Sequence, residues 1–197
     1  MKKNTNLICI EGSISKISTM DDLPFVYVTK FNEDAVKDFY INVKKIENDP
    51  GVKIIPIMIH SYGGEVYSLL AMLDILSSVT KPICTVAMGK AMSCGSVLLA
   101  AGTPGYRYVG ENAHIMIHEV SSMTWGKTTE VKEDVKNTQK LNDILLTKLA
   151  ELCKKKDKKF FHKEIKKRTN LDWYLNGKEC KKLGLVDVVG MPRFLKK

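Results

Sequence analysis

Gly89-Lys90-Ala91-Met92-Ser93-Cys94-Gly95 decides how the chain is read. It follows an apolar, strand-like run at 83–88 and opens a helix-like run at 96–101. Glycines at both ends allow a sharp bend and a close approach of backbone to another group. A serine on a strand-to-helix turn projects its hydroxyl clear of a sheet. The first helical N–H groups, at the positive end of the helix dipole, lie beside it. That geometry suits an acyl-transfer nucleophile and is related to the G-x-S-x-G elbow, although the spacing differs. Taken alone, the segment reads first as a plain connection.

The flanking segments supply a fold. Residues 25–29 alternate and are rich in β-branched and aromatic side chains, which predicts a strand. Asn32 is placed to cap a helix bearing Ala35, Phe39, Val43 and Ile46 at helical spacing. Asp49-Pro50-Gly51 marks a turn, and 52–59 reads as a buried strand ending in His60-Ser61-Tyr62-Gly63-Gly64. A helix is expected over 66–77, then a break at Lys81-Pro82, a strand at 83–88, the serine turn and a third helix reaching 101. Further strands are expected at 106–109 and 114–120. Alternating β and α elements predict an α/β fold with a mostly parallel sheet and helices packed against it.

Residues 128–153 differ. Val131, Val135, Thr138, Leu141, Leu145, Leu149 and Leu152 recur every three or four residues, so one long helix is predicted. A helix of that length projects beyond a compact domain, and its apolar stripe is expected to bury itself against a neighbouring subunit. A short helix at 177–183, a Gly184 cap and a last strand at 185–189 complete the expectation.

With 197 residues, 44% hydrophobic and 27% charged, the chain has the size and composition of one globular domain. Cys9, Cys84, Cys94, Cys153 and Cys180 are odd in number and lack C-x-x-C spacing. They read as reduced thiols, neither a disulfide framework nor a zinc site. The apolar run 7–10 is too short for a secretory core, and no stretch approaches a membrane span. A cytoplasmic protein without metal or cofactor is expected. The net charge of +9 is concentrated in Lys154-Lys155-Lys156-Asp157-Lys158-Lys159 and Lys166-Lys167-Arg168. Phe160 and Phe161 are adjacent and read as core anchors, so a solvated basic face is favoured over a nucleic-acid surface.

A serine nucleophile needs a base, and the base needs an orienting carboxylate. His114 and His118 fall on one face of a strand, about 13 Å apart, too far to share a metal ion. His162 lies among lysines and is expected to be exposed; His60 ends a strand. Residue chemistry alone leaves His118, His114 and His60 open as bases, and Asp187 stands beside Asp172 as a possible carboxylate.

Three blocks in order resemble the ClpP family, the proteolytic subunit of the Clp protease. Ile59-His60-Ser61-Tyr62-Gly63-Gly64 is similar to I-N-S-P-G-G. Met88-Gly89-Lys90-Ala91-Met92-Ser93-Cys94-Gly95, with Leu98-Leu99-Ala100-Ala101-Gly102, is similar to M-G-x-A-A-S-M-G and L-L-A-A-G. Met116-Ile117-His118 matches M-I-H. Asp172-Trp173-Tyr174-Leu175 and Leu183-Gly184-Leu185-Val186-Asp187 look like D-x-F-L/M-S and Y-G-L-I/V-D.

The resemblance implies a crotonase-like ClpP fold with a projecting handle helix at about 128–153. It implies a divergent N-terminal axial segment over 1–24 and a peptidase domain over 25–197. By the same resemblance Ser93 is the nucleophile, His118 the general base and Asp172 its orienting partner. Gly64 and Cys94 supply the oxyanion hole, and Gly63, Val66 and Ser121 meet substrate. The implied particle is a heptameric ring, singly or stacked as a tetradecamer, fed unfolded polypeptide by an AAA+ unfoldase. Tyr62 for proline, His60 for asparagine, Ser121-Ser122 for a glycine pair and Leu171 for arginine depart from the pattern. They bear on the double ring and the usual ATPase partner, and suit a divergent member such as a phage-encoded one. Three other readings are a Ser-Lys peptidase using Lys90, an acyl-CoA enzyme of the same fold, and a catalytically silent ring subunit or adaptor.

Overall fold

The computed structural model describes residues 7–10, 24–155, 157–168 and 172–196. Leu171, Lys156 and most of the N-terminal segment lie outside these residues. A seven-stranded sheet organises the fold. Strands β2 (Val26–Val28), β3 (Ile55–Ser61), β4 (Ile83–Met92), β5 (Arg107–Val109) and β8 (Val188–Val189) run side by side and parallel. Helices α1 (Glu33–Glu47), α2 (Val66–Ser77) and α3 (Cys94–Ala100) alternate with the first of them. Fully buried Ile55, Ile57, Ile59, Leu69, Met72, Leu98 and Leu99 fill the core. The expected α/β class, with a mostly parallel sheet, is the one observed.

Strand β4 is longer than its sequence suggests, and that difference shapes the site. Residues 89–92 read as part of a turn, yet they continue the strand to Met92. Thr85 to Ala87 pair with β5, whereas Lys90 to Met92 pair with β6 (His114–Ile117). Between the two, Gly89 takes φ +66, and the register against β3 shifts between Ile59 and Ser61. A bulge of this kind re-aims a strand. A Cβ on Gly89 would lie 2.9 Å from the His60 ring, so the tight spot is a glycine. The re-aimed end carries Ser93.

Strand β6 also pairs, antiparallel, with β7 (Trp173–Leu175). Strand β1 (Leu7–Ile10) and β9 (Arg193–Lys196) form a separate parallel pair. The run at 185–189 is therefore not the last strand; only Val188–Val189 is extended there, and β9 follows. Its four residues lack the alternation that would mark them.

Helix ends follow local chemistry. Asn32 accepts a hydrogen bond from the Ala35 amide at 2.9 Å, and α1 turns Phe39, Val43 and Ile46 into the core. Asn32→Ala is expected to destabilise the fold by about 1 kcal/mol, read as a lower urea midpoint at unchanged m-value. Asn176 and Glu179 form a capping box on α6 (Gly177–Leu183), which ends at Gly184 with φ +87.

Helix α4 (Thr128–Leu152) has the expected length but two different halves. Leu145, Leu146, Leu149 and Ala150 are buried in the chain's own core, so the stripe is not wholly reserved for a neighbour. The first half carries no buried residue, and Val135 is exposed. Helix α5 (Lys159–Lys166) buries Phe161 and Ile165, with Phe160 half-buried, and turns its lysines outward.

Candidate active site

Ser93 stands between β4 and α3 with φ 54 and ψ −121. Few residues other than glycine adopt a positive φ, and such strain collects at functional turns. The elbow is held in place by its amide, which donates to the Met116 carbonyl at 2.9 Å. The loop 62–64 closes over it. Gly63 and Gly64 have φ +104 and +149. A Cβ on Gly63 would fall 2.8 Å from Ser93 Cβ, and one on Gly64 2.4 Å from the Phe31 carbonyl oxygen. Only bare backbone fits at either place. Ser61 steadies the loop, accepting from the Gly63 amide at 3.0 Å and donating to the Thr29 carbonyl at 2.8 Å.

His118 follows β6, and its Nε2 is 2.8 Å from Ser93 Oγ. Asp172 precedes β7. Ile115, Met116 and Ile117 face Leu175, Tyr174 and Trp173 across the antiparallel pair, so one step further sets His118 opposite Asp172. Directly opposed residues on an antiparallel pair share a face and can touch. Here Nδ1 of His118 is 3.7 Å from Asp172 Oδ1, longer than a hydrogen bond and within ion-pair range. The Tyr174 hydroxyl donates to the other Asp172 oxygen at 3.4 Å. Three side chains expected from distant parts of the sequence therefore meet at one place.

The remaining candidates are engaged elsewhere. The His60 Nδ1–H donates to the Met88 carbonyl at 2.7 Å, and His114 is exposed at the start of β6. Asp187 forms a 2.7 Å salt bridge with buried Arg107 and accepts from the Gly105 amide. Burial pushes the Asp187 carboxyl up, but those donors outweigh it and hold it below its ordinary value. Lys90 Nζ lies 3.4 Å from the centre of the Tyr62 ring. His162, expected to be exposed, is half-buried: its Nε2 is 3.2 Å from Asp143 and its Nδ1 3.8 Å from Glu119. The packing of α5 (Lys159–Lys166) against α4 (Thr128–Leu152), which brings Asp143 to it, was not legible from its lysine-rich neighbourhood.

Cys94 buries its thiol, which approaches the Gly64 carbonyl at 3.3 Å. Burial pushes its pKa up, so the thiol stays protonated and is a poor rival nucleophile. Its backbone amide is the first of α3 and directly follows Ser93.

A cleft of about 260 Å³ opens beside Ser93 and His118. Val66, Val120 and Ser121 line it, and Leu145, Leu146 and Leu149 of α4 form its apolar floor. Gly63 does not line it; it supports Ser93 from behind. The contribution of α4 was missed in sequence, because its stripe was assigned to a neighbouring subunit. Among the described residues no group of three or more His, Cys, Asp or Glu side chains could hold a metal ion, and no helix is long and apolar enough to cross a membrane.

The sequence profile of the Clp protease family matches residues 20–193. Among curated proteins, the ATP-dependent Clp protease proteolytic subunit 2 of Frankia casuarinae is 31% identical over 160 residues, covering 81% of this chain and 71% of that protein. Proteolytic subunit 3 of the same organism is 30% identical over 164 residues, covering 83% and 75%.

Proposed function

This chain belongs to the Clp protease family, and we propose that within it the chain is a serine endopeptidase acting through Ser93, His118 and Asp172. One observation carries the reading: the 2.8 Å contact between His118 Nε2 and the hydroxyl of a serine on a strained elbow. His118 removes the Ser93 proton as Oγ attacks the scissile carbonyl. The C–O bond forms, and the carbonyl oxygen takes the negative charge. The amides of Gly64 and Cys94 receive that oxyanion, each worth about 3–4 kcal/mol to the transition state. The imidazolium then gives its proton to the leaving amine, and the acyl–Ser93 ester is hydrolysed by water activated in the same way. Asp172 holds the imidazole tautomer; closing its 3.7 Å gap needs less than 1 Å of side-chain movement, and such contacts tighten on substrate binding.

Substrate is an unfolded polypeptide laid alongside the cleft as an added strand, with one apolar side chain on the α4 floor. Val66 and Ser121 flank it. The particle we propose is a heptameric ring, built partly through the exposed first half of α4 and supplied by a Clp-type ATPase. Cys84, Cys94, Cys153 and Cys180 are free, buried thiols, which suits the reducing cytoplasm. Lys90, stacked on Tyr62, is disposed against a Ser-Lys reading.

A fluorophosphonate probe tests the proposal. Intact-mass and peptide analysis are expected to find one adduct per chain, on Ser93. In His118→Asn the labelling rate falls at least about 100-fold, since a general base contributes roughly 10²- to 10⁴-fold. Labelling at another residue, or unchanged labelling in that variant, would reject the assignment.

A further inference from the structure

We propose that Tyr62 and Lys90 form a specificity-determining lip that favours peptides with an acidic side chain next to the residue seated in the apolar cleft. This rests on the peptidase reading above and adds a substrate class to it. Tyr62 directly precedes Gly63-Gly64, and its ring is 72% exposed while lining the cleft that holds Ser93. So exposed a ring would ordinarily be loose. Here it is held, because the half-buried Lys90 sets its ammonium 3.4 Å from the ring centre. The proline of the resembled pattern offers no aromatic face to an ammonium.

The charge at this lip is uncompensated. No residue lining the cleft is acidic. Among the described residues no carboxylate pairs with Lys90. Lys90 also lies opposite His114 in the β4–β6 register, so its cross-strand neighbour on that face is an imidazole and not a carboxylate. A peptide crossing the cleft thus meets an apolar floor and a cationic rim. A carboxylate near that rim gains attraction, and a lysine or arginine there is repelled. At a separation on the order of 10 Å and an intermediate dielectric, one such charge is worth about five-fold in affinity.

The test uses full-length Ser93→Ala protein, so that binding is read without turnover. Dye-labelled hexapeptides carry one central leucine with glutamate on either side of it, and glutamine counterparts serve as the neutral probes. Fluorescence anisotropy is expected to show the glutamate peptides binding about five-fold more tightly than glutamine ones. Glutamate moved to the peptide's end reports the general field of a chain with net charge +9, and there the ratio is expected near one. Lys90→Met brings the flanking ratio to about one, and Lys90→Arg retains it, which separates charge from folding. Equal binding of the glutamate and glutamine peptides, a ratio that survives Lys90→Met, or no binding of any peptide would overturn the lip. Selective binding by the Ser93→Ala protein, together with no fluorophosphonate labelling of the unaltered chain, would uphold the lip and defeat the peptidase reading instead.

Discussion

Ser93→Ala is expected to lower kcat for peptide hydrolysis by about 10⁶-fold while leaving KM within a few-fold of its starting value. Among the described residues the serine is the only nucleophile that His118 Nε2 touches, and its methyl replacement keeps the elbow's backbone and the floor of the cleft. Ground-state binding therefore persists while the transition state loses both the forming C–O bond and the proton relay. His118→Ala should lose a similar factor, and the double variant little more, because members of a relay fail together. Asp172→Ala should lose less. Its carboxylate is 45% exposed and stands 3.7 Å from the imidazole, so solvent already shares its role. The experiment is steady-state hydrolysis of an internally quenched peptide by assembled protein, with circular dichroism to verify the fold. Activity above one per cent in purified Ser93→Ala would remove the nucleophile from the account. So would strictly additive losses in the double variant.

The parts of this site legible in sequence are those set by local pattern. Helices α1, α2 and α6 announce themselves through Asn32, apolar spacing and Gly184, and the length of α4 through its stripe. What the residues alone leave open is non-local. His118 is distinguished from His114 and His60 by the pairing of β6 with β7, which sets it opposite Asp172. No window of sequence around a histidine contains that register. The resemblance to a family supplied it, from motifs whose spacing already encodes the pairing. Asp172 and Asp187 are separated in the same way, by Arg107, a buried arginine in a short strand whose partner lies 80 residues away. The continuation of β4 past Gly89 was hidden because glycine and lysine weaken a strand pattern, whereas sheet pairing on both sides overrides that weakness. The burial of the second half of α4 in the chain's own core was hidden because the apolar stripe keeps one period along the whole helix, whatever each part packs against.

Arg107→Met is expected to destabilise the chain by about 2–4 kcal/mol, somewhat less than when a fully buried charge loses its partner, because the stranded Asp187 side chain is 23% exposed. Arg107 fills space that Gly102 leaves open: a Cβ there would lie 2.9 Å from the arginine Cγ. Its guanidinium meets Asp187 through two bonds, Nε to Oδ2 at 2.9 Å and Nη2 to Oδ1 at 2.7 Å. Nη1 donates to the Leu152 and Gly184 carbonyls, which end α4 and α6. One side chain thus ties the root of the helix that floors the cleft to the carboxylate before β8. Methionine fills much of the volume and satisfies none of these acceptors. For a chain of this size the loss corresponds to a fall in Tm of about 4–16 °C, measurable by calorimetry. The pH dependence has a fixed sign. Asp187 is held below its unfolded value, so its contribution is present above the unfolded carboxyl range near pH 4 and is lost as pH falls through the lower folded value. The unaltered chain should therefore lose stability over that acidic window more steeply than Arg107→Met does. Arg107→Met combined with Asp187→Leu should recover part of the loss, because no half-buried carboxylate is then stranded. A single Arg107→Met variant within 1 kcal/mol of the unaltered chain would mean that water already solvates Asp187, and that the root of α4 is fastened by packing alone.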